Sequence, residues 1–154
     1  MSVKVIAEIG INHNGDMNLC KKLIDVAHMA GCDYVKFQKR TPALCVPEHQ
    51  KGVMRDTPWG RMTYLDYKYR VEFEKDEYDE VDRYCKEKGI KWFASVWDKP
   101  SVDFMKQYTD ITKIPSALIT DLDLCEYARK HNNKVIISTG MSTEQEIESC
   151  VFKT

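Results

Sequence analysis

Two lysines stand in short apolar segments of the kind that form buried strands. Lys36 lies in the segment 33–38 and Lys113 in the segment 112–115. A lysine is rarely buried without a partner, because an ammonium group that loses its hydration shell is costly. Glu8, near the end of a third apolar segment, is a candidate partner. One carboxylate cannot neutralise two ammonium groups, so the surplus positive charge predicts a binding site for an anion.

Hydroxyl and amide side chains near the ends of the apolar segments extend this pattern. Ser95 and Ser138 lie at two such ends, and Gln38 shares a strand face with Lys36, because successive strand residues alternate between faces. Together these groups would donate hydrogen bonds to a small ligand that carries a phosphate and a carboxylate. Two other interpretations stay open. The charges could form a structural ion-pair network, and a serine at a strand end could simply form a turn.

These residues lie in a chain in which short apolar segments alternate regularly with amphipathic segments. An apolar face with helical periodicity predicts a helix, and a short apolar run predicts a buried strand. Gly31 and Gly89 follow two of the helical segments, as expected at helix ends, and Ser142 is a candidate N-cap of the last helix. Strands are predicted at 4–9, 33–38, 91–96, 112–115 and 135–138, and helices at 18–30, 76–88, 101–108, 122–131 and 143–150.

Tandem strand–helix units predict a parallel sheet in an α/β fold. A doubly wound sheet would carry a G-x-G-x-x-G turn after its first strand, but residues 10–15 read Gly-Ile-Asn-His-Asn-Gly. Polar side chains end the predicted strands, which is where (β/α)8 barrels keep their chemistry, and a complete barrel takes about 250 residues. We therefore expect residues 1–154 to form the N-terminal portion of an incomplete (β/α)8 TIM barrel, with about five of its eight strand–helix units.

The connection at 39–75 is much longer than the loops that usually join a strand to a helix. It carries Trp59 and several tyrosines among arginines and lysines. One interpretation is a lid or a subunit-contact segment with a short helix near 62–70. The alternative is a strip that binds nucleic acid through aromatic and basic groups. It is disfavoured because four acidic residues from Asp56 to Glu74 cancel the basic charge.

The overall composition is that of a globular protein that binds neither nucleic acid nor membranes. Lysine and arginine number 23 and aspartate and glutamate 24, so no strongly basic surface is expected. No apolar run approaches the roughly 20 residues of a membrane span. Lys4 and Glu8 interrupt the N-terminal segment, where a signal peptide would be apolar. These features predict a cytoplasmic protein.

Cysteine and histidine spacing predicts neither a disulfide framework nor a metal site within this chain. The six cysteines form no C-x-x-C pair and most lie among apolar neighbours. We expect reduced thiols that pack as small hydrophobic groups. The four histidines show no i, i+4 pair of the kind that zinc-binding helices use.

Four short motifs stand in order along the chain. The first is Ala-Glu-Ile-Gly-Ile-Asn-His-Asn-Gly at 7–15, and the second is Val-Lys-Phe-Gln at 35–38. The third is Lys-Ile-Pro-Ser at 113–116, and the fourth is Ile-Ile-Ser-Thr-Gly-Met at 136–141. In this order and at this spacing, the motifs closely resemble the N-acetylneuraminate (sialic acid) synthase family across nearly the whole chain.

The resemblance implies a (β/α)8 barrel followed by a small C-terminal antifreeze-like domain, in a domain-swapped homodimer when full length. It implies an enzyme that condenses phosphoenolpyruvate with an N-acylated amino sugar, typically N-acetylmannosamine or its phosphate. The product is a nine-carbon α-keto sugar acid (a nonulosonic acid), and phosphate is released. A divalent metal, Mn or Mg, would polarise the acceptor aldehyde. The metal-binding histidines of the family belong to later strands, so none of the four histidines here is expected to take that role.

By the same resemblance, specific residues of this chain look like the ligands and catalysts of that reaction. The phosphoenolpyruvate ligands would be Lys36, Ser95, Lys113, Ser116 and Ser138, with Ser95 where the family usually has threonine. Glu8 looks like the catalytic carboxylate, which would stabilise positive charge at the carbon bearing the phosphate or orient the attacking water. Gln38 is similar to a residue on the acceptor-sugar side.

Two departures from the family pattern concern the acceptor side. Ala117 and Leu118 stand where the family usually continues with Gly-Glu, and that glutamate contacts the sugar. Residues 95–98 read Ser-Val-Trp-Asp rather than Thr-Pro-Phe-Asp. The resemblance therefore implies the phosphoenolpyruvate site without implying which acceptor sugar is used.

Two alternatives to this function stay open. A class I aldolase would use Lys36 or Lys113 to form a Schiff base with a carbonyl substrate in a similar barrel. Borohydride trapping of an adduct on either lysine would favour that enzyme, whereas a strict metal requirement would disfavour it. The chain could also be a non-catalytic truncated fragment or a binding module. An aggregated or molten state of the isolated chain would favour this alternative, whereas a folded monomer that binds phosphoenolpyruvate would argue against it.

Overall fold

The computed structural model describes residues 3–153, which alternate between strands and helices along most of their length. In chain order the strands are β1 (Ile6–Gly10), β2 (Tyr34–Lys39), β3 (Met54–Thr57), β4 (Gly60–Thr63), β5 (Lys91–Val96), β6 (Ile111–Ile114) and β7 (Lys134–Ile137). The helices are α1 (Met17–Met29), α2 (Pro42–Cys45), α3 (Glu48–Lys51), α4 (Tyr64–Val71), α5 (Lys75–Lys88), α6 (Lys99–Met105), α7 (Leu122–His131) and α8 (Glu144–Lys153). A 3-10 helix spans Ser116–Leu118. No helix within residues 3–153 is both long and apolar enough to cross a bilayer.

Within the described residues, five parallel strands form one sheet in the order β1-β2-β5-β6-β7. Each strand therefore lies beside the strand that precedes it in this set, as in the wall of a barrel. A doubly wound sheet would instead reverse its strand order at a switch point. The structure confirms the prediction of an incomplete (β/α)8 barrel with five strand–helix units.

The hydrophobic core lies between this sheet and the helices that cover its outer face. On β2, Val35 and Phe37 are fully buried and face the helices. Tyr78 of α5 is also fully buried, and its ring stacks on that of Trp92 with centroids 5.6 Å apart. Because strand side chains alternate, Lys36 and Gln38 must face the opposite side, which is the interior of the barrel.

The ends of the predicted strands and helices differ from those in the structure by up to three residues, and two differences at helix starts have local reasons. Helix α6 begins at Lys99 rather than at 101, because Asp98 caps it and Pro100 suits a first helical turn. The predicted N-cap of α8, Ser142, is wrong. Thr143 takes this role: its hydroxyl accepts a hydrogen bond from the Glu146 amide (3.3 Å), and the Glu146 carboxylate accepts one from the Thr143 amide (2.7 Å).

The long connection at 39–75 is structured rather than an open loop. The helix predicted near 62–70 is confirmed as α4. The antiparallel hairpin of β3 and β4 was not predicted from the sequence. Basic groups of this segment lie over its own rings, with the Arg55 guanidinium 4.1 Å from the Tyr64 ring centroid. This pairing engages basic and aromatic groups that a nucleic-acid strip would present to its ligand.

Asp98 ties this segment to the end of β5. Its carboxylate accepts hydrogen bonds from the amide and hydroxyl of Thr41 (2.6 and 3.2 Å), the amide of Ser101 (2.7 Å) and the thiol of Cys45 (3.0 Å). Burial works against ionisation of this carboxyl, but these hydrogen bonds hold its pKa below the ordinary value.

We expect Asp98→Ala to lower the free energy of unfolding of the full-length protein by about 2–3 kcal/mol, because a helix cap and several further hydrogen bonds are lost together. Asp121→Ala is the matched control, since Asp121 caps α7 by accepting a hydrogen bond from the Leu124 amide (3.0 Å). That control should cost only about 1 kcal/mol. Urea unfolding measures both values, and equal losses would show that Asp98 is no more than a cap.

The six cysteines form no disulfide and most are buried, as predicted. Cys20, Cys85, Cys125 and Cys150 are buried, and Cys32 and Cys45 are half-buried. Burial raises the pKa of the Cys20 and Cys85 thiols to about 12, so these groups stay protonated at neutral pH.

His13 is a buried, neutral loop residue. Its ring stacks on Phe73 with centroids 3.9 Å apart, and its Nδ1 accepts a hydrogen bond from the Gly15 amide (3.1 Å). Burial lowers the pKa of His13 to about 4. The sequence-based interpretation of His13 as a residue that holds the loop backbone agrees with these contacts.

This lowered pKa predicts an acid sensitivity. An unfolded histidine titrates near pH 6.5, so the His13 contribution to stability is complete above that pH and is lost as the pH falls through about 4. We expect the full-length His13→Phe variant to lose less stability than the unaltered protein between pH 7 and pH 4.5. Urea unfolding at both pH values tests this, and equal losses in the two proteins would show that His13 does not titrate on unfolding.

Candidate active site

Lys36 is the centre of a polar cluster inside the sheet. Its ammonium lies 2.6 Å from Glu8 Oε2 and donates a hydrogen bond of 2.8 Å to Ser95 Oγ. The Lys36 side chain is 7% exposed, whereas that of Glu8 is 54% exposed. The Lys36 ammonium is therefore buried in the sheet, whereas about half of the Glu8 side chain is exposed.

Lys113 lies beside this group on the next strand. It is paired in register with Ser95, and it makes no hydrogen bond or ion pair with any described residue. Burial, and then repulsion from Lys36, lower the pKa of Lys113, with Glu8 as a partial offset. The structure thus brings two lysines to one carboxylate, and the ammonium of Lys113 is available to an anion.

Gln38 and Glu8 converge above Gly10. A Cβ atom built on Gly10 would lie 2.9 Å from Glu8 Oε1 and 3.4 Å from Gln38 Nε2. Gly10 also has a φ of +57°, which favours glycine. From the sequence, Gly10 argued against a dinucleotide-binding turn and belonged to the motif at 7–15, but it was given no role in the site. The structure shows that it leaves room for two predicted site residues.

Ser116 and Ser138 lie at the ends of the two following strands and are half-buried. Ser116 begins the 3-10 helix after Pro115, and a Cβ on Gly140 would lie 3.6 Å from its hydroxyl oxygen. The Ser138 amide donates to the Ile114 carbonyl at 3.1 Å. Neither hydroxyl forms a hydrogen bond to Lys36 or Lys113. Both serines are therefore at the predicted edge of the sheet, but outside the hydrogen-bonded cluster.

A second polar layer at the mouth of the site was not predicted as functional. The Arg40 guanidinium lies 4.8 Å from the Trp97 ring centroid. Glu72, whose side chain is 1% exposed, accepts a hydrogen bond from the Arg40 amide (3.0 Å) and lies 3.4 Å from both Arg40 Nε and Lys39 Nζ. Burial raises the pKa of Glu72 to about 7. Strand alternation places Arg40 on the face of Lys36 and Gln38, so this signal could have singled out Arg40, although not Glu72.

A metal site is not formed by the described residues. Among residues 3–153, no group of three or more histidine, cysteine, aspartate or glutamate side chains lies together so as to hold a metal ion. The hydrogen-bond donors around Lys36 are ammonium and hydroxyl groups, and such groups bind an anion rather than a metal cation. The expectation that metal ligands come from later strands stays a prediction.

The fold and the cluster define a class of protein: an α/β-barrel protein with two lysines and one carboxylate gathered on the interior face of its parallel strands. The sequence pattern of the NeuB family matches residues 23–153. The chain belongs to the NeuB family.

Several known proteins similar to this chain are synthases of sialic acids and related acids. It is 38% identical to the N-acetylneuraminate-9-phosphate synthase of Drosophila melanogaster over 153 residues, which cover 97% of this chain and 41% of that protein. It is 35% identical to the N,N'-diacetyllegionaminic acid synthase of Campylobacter jejuni over 150 residues, or 96% of this chain and 45% of that protein.

A solved structure agrees with the fold. The N-acetylneuraminic acid synthetase of Leptospira borgpetersenii serovar Hardjo-bovis, in complex with citrate, superposes with a TM-score of 0.87 at 30% identity, over 99% of this chain and 50% of that one. The chain thus spans between two fifths and half of the length of these relatives.

Proposed function

We propose that the full-length protein condenses phosphoenolpyruvate with an N-acylated amino sugar, such as N-acetylmannosamine, to a nine-carbon α-keto sugar acid with release of phosphate. The observation that carries this proposal is the pair of lysines around one carboxylate, with Lys113 unpaired among the described residues. The names of the relatives support the product class, since they are synthases of N-acetylneuraminate-9-phosphate and diacetyllegionaminic acid.

Lys36 and Lys113 would bind the anionic groups of phosphoenolpyruvate. Glu8 neutralises one ammonium group, so the pair keeps one positive charge for a ligand that carries a phosphate and a carboxylate. Desolvated ammonium groups bind such oxygens more strongly than hydrated ones. Ser95 would add a hydroxyl donor beside Lys36, and Ser116 and Ser138 would add donors from the two following strands.

Glu8 would act on the carbon that bears the phosphate. When the enol carbon forms a bond to the acceptor aldehyde, positive charge develops at the phosphate-bearing carbon and the aldehyde oxygen takes up a proton. Water then adds at that carbon, and the bond to the phosphate oxygen breaks to leave the keto group and phosphate. The half-exposed Glu8 carboxylate, held by Lys36, can stabilise this charge and orient the water.

A divalent metal, Mn or Mg, is expected from the resemblance, but the described residues do not offer it a ligand set. The steps above therefore use only residues of this chain. Gln38 would face the acceptor sugar. Leu118 packs against the core rather than presenting a carboxylate to that sugar, so the acceptor is proposed only as a class.

We also propose that the full-length enzyme is a cytoplasmic homodimer with a C-terminal antifreeze-like domain. Six cysteines that form no disulfide support a reducing compartment. Residues 3–153 hold five strands of the sheet, so we propose that this chain alone is not the catalyst.

The test of the proposed function is phosphate release by the full-length protein. It is incubated with phosphoenolpyruvate, a divalent metal and a panel of acylamino sugars. Phosphate release that depends on one acceptor supports the proposal. If none of the acceptors in the panel gives phosphate release, that result would count against the proposal.

A second candidate function is a class I aldolase, and the state of Lys113 favours it. A lysine with a lowered pKa and no partner among the described residues is suited to form a Schiff base. Borohydride reduction in the presence of pyruvate distinguishes the two. A stable adduct on Lys113 would support the aldolase, and no adduct is expected for the synthase.

A further inference from the structure

Side chains on the interior face of the sheet form successive layers along the strands, from deep within the barrel to its opening. On β2 and its extension, Lys36, Gln38 and Arg40 share one face, and Ser95 and Trp97 share that face at the end of β5. Gln38 is paired in register with Ser95, and the Arg40 guanidinium lies over the Trp97 ring. A small anion on Lys36 would fill the deep layer. A second substrate that enters from the mouth would next meet Gln38.

Arg40 is held in place by groups from other parts of the chain. Its side chain is 5% exposed, and Glu72 accepts a hydrogen bond from its backbone amide while lying 3.4 Å from Nε. The Trp97 ring covers the guanidinium at 4.8 Å. A guanidinium fixed on two sides in this way is a rigid donor rather than a mobile surface charge.

Arg40 in turn determines how the Gln38 amide is oriented. Nη2 of Arg40 donates a hydrogen bond to Gln38 Oε1. Because a guanidinium has donors and no acceptor, the amide oxygen must be the atom that faces it. The amide nitrogen then points away from Arg40, towards the space above Gly10 that Glu8 also borders. Nε2 makes no hydrogen bond with any described residue.

We propose that Arg40 is a positioning residue that fixes the Gln38 amide so that its two N–H groups face an oxygen atom of the acceptor sugar. This inference rests on the proposed function for the identity of the second substrate. It also gives the segment 39–75 a role, because its residue Glu72 holds Arg40 at the mouth of the site. It further implies that the Gln38 oxygen is already occupied and does not bind a metal or an ammonium group.

The kinetic test compares Arg40→Met, Gln38→Ala and the double variant in the full-length enzyme. Arg40→Met should raise the KM for the acceptor about tenfold, because the loss of one well-oriented hydrogen bond typically weakens binding by about this factor. The KM for phosphoenolpyruvate should change by less than about twofold, because the Lys36 layer is untouched. Since Arg40 acts through Gln38, the double variant should be no worse than Gln38→Ala alone. Arg83→Met, at an exposed arginine of α5, is the matched control and should change neither constant.

Additive effects of the two substitutions, or an equal rise in both KM values, would overturn the proposal. If Arg40→Met does not fold, Glu72→Gln provides the same test, since it loosens Arg40 without removing it. It should raise the acceptor KM in the same direction by a smaller factor.

A second measurement separates this inference from the proposed function. The side-chain amide signals of Gln38 in the full-length protein, assigned by their loss in Gln38→Glu, should shift and broaden in Arg40→Met. Unchanged signals would overturn the positioning role whether or not any sugar reacts. If the signals change but no acceptor in the panel is turned over, the proposed function fails and the role of Arg40 in orienting Gln38 stands.

Discussion

Replacing Lys36 by methionine should lower kcat/KM for phosphoenolpyruvate in the full-length enzyme by about 10²–10³, the usual cost of removing one donor aimed at a reacting anion. Lys36 is buried and holds both Glu8 and Ser95. Methionine has a similar length and no charge, so it removes the ammonium group without leaving a large cavity. Steady-state kinetics at varied phosphoenolpyruvate concentration, with acceptor saturating, measure the loss.

The matched control for this prediction is Lys91→Met. Lys91 begins β5 at the opposite end of the sheet and is exposed. Its replacement should leave kcat/KM within about twofold, because a solvated lysine far from the ligand contributes little. A loss of less than tenfold for Lys36→Met, or similar losses for both variants, would contradict the assignment of Lys36 to the anion site.

Replacing Glu8 by glutamine should separate catalysis from binding. The carboxylate is lost but the shape is kept, so kcat should fall by about 10²–10³ because the developing positive charge is no longer stabilised. The KM for phosphoenolpyruvate should stay the same or fall, since Lys36 then has no anion to neutralise it and attracts the substrate more strongly.

Glu74→Gln is the control for the Glu8 substitution. Its carboxylate is 70% exposed and lies 3.5 Å from Lys39 on the other face of β2. That variant should change neither kcat nor the KM. If Glu8→Gln instead raises the KM for phosphoenolpyruvate as much as it lowers kcat, Glu8 is a structural partner of Lys36 rather than a catalytic group.

Much of the sheet could be predicted because strand residues alternate between faces. Lysines in apolar segments had to face either the core or a site, and their excess over carboxylates pointed to an anion. This reasoning placed Glu8, Lys36 and Lys113 together, and the structure adds that Ser95 accepts a hydrogen bond from Lys36. The catalytic and binding roles of these residues stay predictions.

What the sequence did not reveal depends on contacts between distant segments. The hairpin of β3 and β4 has short strands in which Arg55 and Asp56 interrupt any apolar alternation. The burial of Glu72 beneath Arg40 joins residues 32 positions apart. The amide orientation of Gln38 follows from the placement of Arg40, which only the folded insertion fixes. Such features have no local periodicity and therefore no signal in a single sequence.

The N-cap of α8 is a smaller case in which residue type alone did not decide between two neighbours, Ser142 and Thr143. Both residue types suit the position. The reciprocal bond with Glu146, three residues after Thr143, decided the outcome. A search for the capping-box spacing would have selected Thr143.

The central claim is that this site adds water at the phosphate-bearing carbon of phosphoenolpyruvate during carbon–carbon bond formation. The full-length protein, with metal and a reactive acylamino sugar, can be run in water enriched in ¹⁸O. The mechanism predicts that the released phosphate carries no ¹⁸O, because the bond that breaks joins carbon to oxygen and the bridging oxygen leaves with phosphorus. Phosphate that contains one ¹⁸O atom would show attack at phosphorus and would contradict this account.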